Sequence, residues 1–178
     1  MLSAIRQFIN NILRIVMSDQ NLLLSNFDII GICRHLKIKL NGVLSKDEFN
    51  NIIPETGCYV CNLQDSDKGN GTHWTCIVIQ ESYIIYYDPF GISMPRPIEY
   101  FIKKMKQRPI YVSEDQIQTM NSVFCGYYCI YFMYFCTVLH RTVLNGHYVL
   151  DNHNAIFSLD NRHLNDRIIQ KLIKQLLL

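Results

Sequence analysis

Gly71-Thr72-His73-Trp74-Thr75-Cys76-Ile77-Val78-Ile79-Gln80-Glu81-Ser82-Tyr83-Ile84-Ile85-Tyr86-Tyr87-Asp88-Pro89-Phe90-Gly91 is the stretch from which the fold can be read. Two runs rich in Ile, Val and Tyr, 74–79 and 83–87, have the composition of strands. Glu81-Ser82 between them suits a tight turn, so the two runs read as a hairpin. Antiparallel pairing returns the end of the second run to the start of the first. His73 and Asp88 are therefore expected side by side at one end of a sheet, with Pro89 keeping Asp88 extended.

The flanking sequence supplies the other layers. Ser25-Asn26-Phe27-Asp28 resembles a helix start, and Phe27 to Leu36 has helical apolar spacing. Leu40-Asn41-Gly42 reads as a turn, followed by a short capped piece at Ser45 to Phe49. Cys58 to Leu63 reads as a strand, and Gln64 to Gly71 as a polar, glycine-containing loop. Pro97 to Gln107 reads as a helix with proline in its first turn, and Pro109 to Ile117 contains a further strand. Cys125 to His140 is apolar on all sides and reads as a central buried helix. Tyr148 to Ser158 reads as irregular, and Leu164 to Leu177 as a closing amphipathic helix. These elements predict an α+β fold, a small, mostly antiparallel sheet flanked by helices.

Composition narrows the class. Across 178 residues, 49% are hydrophobic and 18% charged, which excludes a disordered chain and suits one domain over 17–178. A net charge of +2 makes no strong electrostatic claim on nucleic acid. The most basic cluster, Lys103, Lys104, Lys106 and Arg108, is a solvated helix face or a weak DNA contact. No run of 18 uncharged apolar residues suggests a membrane span. Residues 1–16 carry a helical stripe of Leu2, Ile5, Phe8, Ile9, Ile12, Leu13 and Val16, interrupted by Arg6 and Arg14. We read them as an amphipathic helix or extension that docks on the body, a partner or a membrane surface. The count of 7 cysteines is odd and forms no framework, which points to a reducing compartment. Cys58 and Cys61 have redox or zinc spacing without a second ligand pair, so they read as buried structural thiols. His147 and His153 likewise lack matched ligands.

The chemistry gathers around Cys125. A thiol reacts as thiolate, and its free pKa near 8.5 leaves little of that form at neutral pH. Cys125 opens the apolar helix, where the helix dipole favours an anion, whereas Cys129 and Cys136 lie further inside it. His73 is the candidate base, and Asp88 can fix its tautomer. Attack on an amide also generates an oxyanion that an amide N–H can bind. Gln118 and Gln116 both qualify, and spacing does not rank them. Trp74 is a candidate channel wall or a core residue.

Gly71-Thr72-His73-Trp74, Asp88-Pro89-Phe90-Gly91 and Gln118-Thr-Met-Asn-Ser-Val-Phe-Cys125-Gly-x-x-Cys129 together resemble the adenovirus-type maturation cysteine proteases. These adenain-like enzymes belong to the papain-related clan that includes the SUMO-specific proteases. The resemblance runs from Phe27 to about His140. It implies a papain-related fold with the nucleophile at the N-terminus of a buried central helix. The implied roles are Cys125 as nucleophile, His73 as base, Asp88 as its orienter, and Gln118, not Gln116, as oxyanion donor. No metal or cofactor is called for. The implied activity is a viral endopeptidase that cleaves capsid or other virion precursors during particle maturation. Its source would be a DNA virus, a virophage or a virus-like mobile element, and it would act as a monomer in the virion and the host cytoplasm or viral factory. Removal of ubiquitin-like modifiers is the alternative on the same fold. Adenovirus enzymes usually carry Glu at the position of Asp88. The cysteine of their activating disulfide would fall near Gln107, and this chain has none between Cys76 and Cys125.

Overall fold

The computed structural model describes residues 23–69 and 71–178, together with the single position 7. Apart from that position, the stretch 1–16 and the boundary drawn after it lie outside the described residues. Five strands form one sheet in chain order: β1 (Leu40–Ser45), β2 (Gly57–Asn62), β3 (Trp74–Ile79), β4 (Ile84–Tyr87) and β5 (Ile110–Val112). The three central strands pair antiparallel, while β1 lies parallel to β2 and β5 parallel to β4. The hairpin expected over 74–87 is present, with Cys76 across from Tyr87 and Ile79 across from Ile84. β2 and β4 are buried throughout, as is β3 after Trp74, which explains why these strands read as continuous apolar runs instead of alternating ones.

The helices cover both faces. On one face lie α1 (Asn26–His35), α3 (Cys125–Tyr134), α4 (Gly146–Asn154) and α5 (Arg162–Leu177), packed over Cys58, Val60, Cys76, Val78, Ile85 and Tyr87. On the other lie α2 (Arg96–Lys103) and a 3-10 turn at Glu48–Asn51, packed over Tyr59, Ile77, Ile79 and Tyr86. The result is the α+β architecture expected from the sequence, but the sheet is mixed instead of mostly antiparallel, because both outer strands, β1 and β5, join it in parallel. Its centre is α3, of which every residue from Cys125 to Met133 is buried. Phe132 of this helix stacks on Tyr87 of β4 at 4.1 Å between ring centroids. Burying one such ring stabilises the fold by roughly 1.5–3 kcal/mol, and the contact fixes the helix against the strand that leads into Asp88.

Several local expectations are corrected. Leu40-Asn41-Gly42 starts β1 instead of forming a turn, with a register irregularity between Leu40 and Gly42. The Asn41 amide, which suggested turn chemistry, donates to the carbonyls of Glu55 and Thr56 and anchors the bulged strand. The stretch 148–158, read as irregular, is helical through Asn154. Its start is set by Asn145, whose side chain accepts from the amides of His147 and Tyr148. The central helix ends its α form at Tyr134 and continues as a π-helical turn over Phe135–Leu139. By contrast, α1 begins as expected: Ser25 and Asp28 form a capping box. Cys58 and Cys61 are buried on opposite faces of β2, so the strand's alternation keeps this pair from sharing a ligand.

Candidate active site

The β3–β4 register builds the first half of the site. Continued beyond the hairpin, it sets Thr75 across from Asp88 and His73 across from Phe90. His73 and Asp88 are thus diagonal neighbours on one face, within reach of a long side chain. His73 Nε2 lies 2.7 Å from Asp88 Oδ1, and Phe90 stacks on the imidazole at 4.3 Å and 15°. The 71–73 loop is tied down by two side chains. Asn62 Oδ1 accepts from the amides of Gln64 and Thr72, and Gln64 Oε1 accepts from the amide of Gly71.

The turn after β4 is equally constrained. Asp88 Oδ1 also accepts from the Phe90 amide at 2.8 Å, and the Asp88 amide donates to Ser113 Oγ at 2.8 Å. Gly91 closes the turn at φ +67°, with its amide on the Asp88 carbonyl. A Cβ there would come within 2.6 Å of the Glu114 carbonyl oxygen, so both conformation and space require glycine. The Pro89 carbonyl accepts from the amides of Ile117 and Gln118 at 3.0 and 2.9 Å. The segment carrying Gln118 therefore hangs on the turn carrying Asp88.

The thiol arrives from the other side. Cys125 is the first residue of α3, and its N-cap, Phe124, supplies no side-chain cap. The dipole of this helix start favours negative charge on the sulfur. The Trp74 backbone amide donates to Cys125 Sγ at 3.4 Å, adding a second anion-favouring contact. His73 Nδ1 is buried without a hydrogen-bond partner, and it is the ring nitrogen left free by Asp88. Burial works against the charged imidazole, but the bond to Asp88 and the neighbouring Cys125 outweigh it, and the His73 pKa is raised to about 9. The remaining thiols differ. Burial pushes Cys129 and Cys136 well above the usual cysteine value, and both are wholly inaccessible.

Cys125, His73 and Trp74 line a cleft of about 480 Å³ together with Leu24, Ser45 and Gly71. Trp74 is half-buried there, its indole N–H donating to the Leu24 carbonyl at 3.1 Å. Gln118 is fully buried beside the thiol-bearing loop. Its Nε2 donates to the Ser122 carbonyl and hydroxyl at 3.0 and 3.1 Å, and its Oε1 has no partner. Gln116 turns away, its Nε2 donating to the Gln118 carbonyl. Of the basic cluster, Lys103 pairs with Glu99, Lys104 donates to the Ile52 carbonyl and Arg108 pairs with Glu81. Two residues of the site were not singled out from sequence. Phe90 sits inside the quoted Asp-Pro-Phe-Gly motif, and only the register shows it against the imidazole. Ser113 carries no local signal.

The architecture is an α+β fold, a five-stranded mixed sheet with helices on both faces, in which a cysteine heads the buried helix and a His–Asp pair stands at the adjoining strand ends. Crystal structures of ASFV pS273R protease share it. One superposes with a TM-score of 0.58 at 17% identity, covering 89% of this chain and 68% of that one. Its selenomethionine form gives 0.55 at 15% identity, covering 89% and 69%. The likeness is one of fold, and it does not single out the adenovirus-type branch. No protein-family model matches the chain, and no curated protein matches it in sequence.

Proposed function

We propose that the chain is a viral cysteine endopeptidase in which Cys125 is the nucleophile, His73 the general acid and base, Asp88 its orienter and Gln118 the oxyanion donor. The observation that carries this reading is the bridging position of one ring. His73 is bonded to buried Asp88 through Nε2, its Nδ1 has no partner, and both His73 and Cys125 line the same cleft. The fold shared with ASFV pS273R protease supports it.

The chemistry follows from that placement. The thiolate attacks a peptide carbonyl, forming a C–S bond and moving the carbonyl electrons onto oxygen. The Gln118 amide and the Cys125 backbone N–H stabilise that oxygen. The His73 imidazolium gives its proton to the departing amine as the C–N bond breaks, leaving a thioester. Neutral His73 then takes a proton from water, whose oxygen attacks the thioester, and the acid product leaves as the thiolate and imidazolium are restored. Trp74 forms a wall of the substrate cleft. The substrates are virion precursor proteins, cleaved during particle maturation.

Digestion of a peptide library by the wild type and by Cys125→Ala tests the reading. Cleavage by the wild type alone is expected, and turnover retained in Cys125→Ala would remove the central claim. Vinyl probes built on SUMO and ubiquitin separate the isopeptidase alternative, since an adduct at Cys125 would assign the chain to it.

A further inference from the structure

We propose, on the cysteine-protease reading of Cys125, that Cys129 is a positioning residue whose thiol registers α3 on the edge of β3, so that Cys125 Sγ rests on the Trp74 backbone N–H.

A proline makes the opening for this contact. Backbone groups of successive residues on an antiparallel strand turn to opposite neighbours. The bond from the Gln80 amide to the Tyr83 carbonyl marks the even-numbered residues of β3 as facing β4. The bond from the Leu63 amide to the His73 carbonyl marks the odd-numbered ones as facing β2. Trp74 therefore faces the β4 side, and the register that pairs Cys76 with Tyr87, continued, sets Pro89 across from it. Proline has no N–H to give, and the Pro89 carbonyl already accepts from the amides of Ile117 and Gln118 at 3.0 and 2.9 Å. Both backbone groups of Trp74 are thus released from the sheet.

The central helix takes them up. The Trp74 N–H donates to Cys125 Sγ at 3.4 Å, and the Trp74 carbonyl accepts from the Cys129 thiol at 3.3 Å. Residues 125 and 129 stand one turn apart on the same helix face, so α3 meets a single strand residue at two points. Gly126 between them permits the close approach, since a Cβ there would lie 3.3 Å from Trp74 Cδ1 and 3.2 Å from Leu24 Cδ1.

The two sulfurs have opposite roles. A carbonyl only accepts, so Cys129 must keep its proton to make its bond. Its surroundings enforce this: Cys129 is wholly buried, and burial pushes its thiol well above the ordinary cysteine range. An N–H only donates, so Cys125 accepts, and that bond is stronger to a thiolate than to a thiol. Cys125 alone of the pair lines the cleft. Without the Cys129 bond the Trp74 carbonyl loses this donor, and the first turn of α3 keeps only the nucleophile itself as a tie to the Trp74 backbone.

Alkylation of Cys125 by iodoacetamide, followed across pH, reads the sulfur directly and needs no peptide substrate. On the acid limb of the wild-type rate, Cys129→Ala should react roughly three- to tenfold more slowly, the worth of one hydrogen bond. At the alkaline plateau the two proteins should react alike. Cys129→Val fills the space without a donor and should show the same loss. Cys129→Ser restores a donor and should recover most of it. His73, the ionisable neighbour of the sulfur, is present in all four proteins, so its titration cancels in the comparison. Peptide kcat/KM on the acid limb should fall in step with alkylation. A wild-type acid limb in Cys129→Ala and Cys129→Val would overturn the proposal. So would an equal loss in Cys129→Ser, or a rate lowered by the same factor at every pH. Should Cys129→Ala fail to fold, the contrast between Cys129→Val and Cys129→Ser carries the decision. If the wild type cleaves no peptide at all, the protease reading fails, while the alkylation rates still judge Cys129.

Discussion

Replacing Asp88 by Asn tests the electrostatics of the site most directly. Asp88 is wholly buried, and its Oδ1 lies 2.7 Å from His73 Nε2. Its hydrogen bond is the leading contribution that lifts the His73 pKa, against burial, from 6.5 to about 9. At 1.36 kcal/mol per unit, that rise corresponds to about 3 kcal/mol of preference for the charged ring. The native state therefore binds a proton between about pH 6.5 and 9 that the unfolded chain has released. Its stabilisation is complete below 6.5 and is lost as pH rises through 9. In Asp88→Asn the carboxylate is gone while burial stays, so the imidazole should titrate at or below its ordinary value. Three measurements follow. The NMR titration of His73 should move down by roughly two units or more. The basic limb of kcat/KM should move with it, and kcat at pH 7.5 should fall by roughly 10²–10⁴-fold. The loss of unfolding free energy in urea between pH 6.5 and 9 should largely disappear. An unchanged His73 titration in Asp88→Asn would refute the reasoning, because no other carboxylate is bonded to the ring among the described residues.

Further outcomes are equally specific. Brief iodoacetamide treatment of the native protein should modify Cys125 before any other described cysteine, because the other six are wholly inaccessible; peptide mapping that finds Cys129 labelled first would contradict the site. His153 is packed among the rings of Tyr87, Phe132 and Phe157, and burial lowers its pKa to about 4. Its neutral form contributes stability above pH 6.5 that is lost as pH falls through 4, about 3 kcal/mol in all, so urea midpoints of wild type and His153→Gln should converge on acidification. Gly91→Ala should destabilise by roughly 1–3 kcal/mol through its positive φ and the Glu114 carbonyl, and a melting temperature unchanged from wild type would count against that turn geometry.

How much of this was legible in the sequence depended on whether the information was local. The hairpin was readable because β-branched and aromatic runs flank a polar turn, and pairing alone brought His73 towards Asp88. The outer strands were harder. β1 begins with Leu40-Asn41-Gly42, whose turn-type residues serve a bulge against β2, and no local signal distinguishes the two uses. α4 was missed because its apolar residues are few and its cap, Asn145, precedes a glycine that suggests a loop. At the site, local chemistry distinguished Cys125 from Cys129 through the helix start, but it did not rank Gln118 over Gln116. The structure sends the two amides in different directions by means of Ser122 and the Pro89 carbonyl, contacts that cross from one segment to another. Arg162, Asn165 and Asp166 of α5 bond the same stretch at the Gln116 and Ile117 carbonyls and the Ser122 hydroxyl, and their reach is long-range for the same reason. On sequence alone they are ordinary polar positions of an amphipathic helix.

Trp74 is the sole tryptophan of the chain, and it stands in the wall of the cleft with its backbone on the sulfur and its indole on the Leu24 carbonyl. The molecule thus carries its own fluorophore in the wall of the proposed substrate cleft. Excited at 295 nm, the protein emits from that indole alone. A peptide entering the cleft should shift or quench the emission as it displaces water from the ring. In Cys125→Ala the same signal would follow binding without turnover, so affinity and chemistry become separately readable with no label attached.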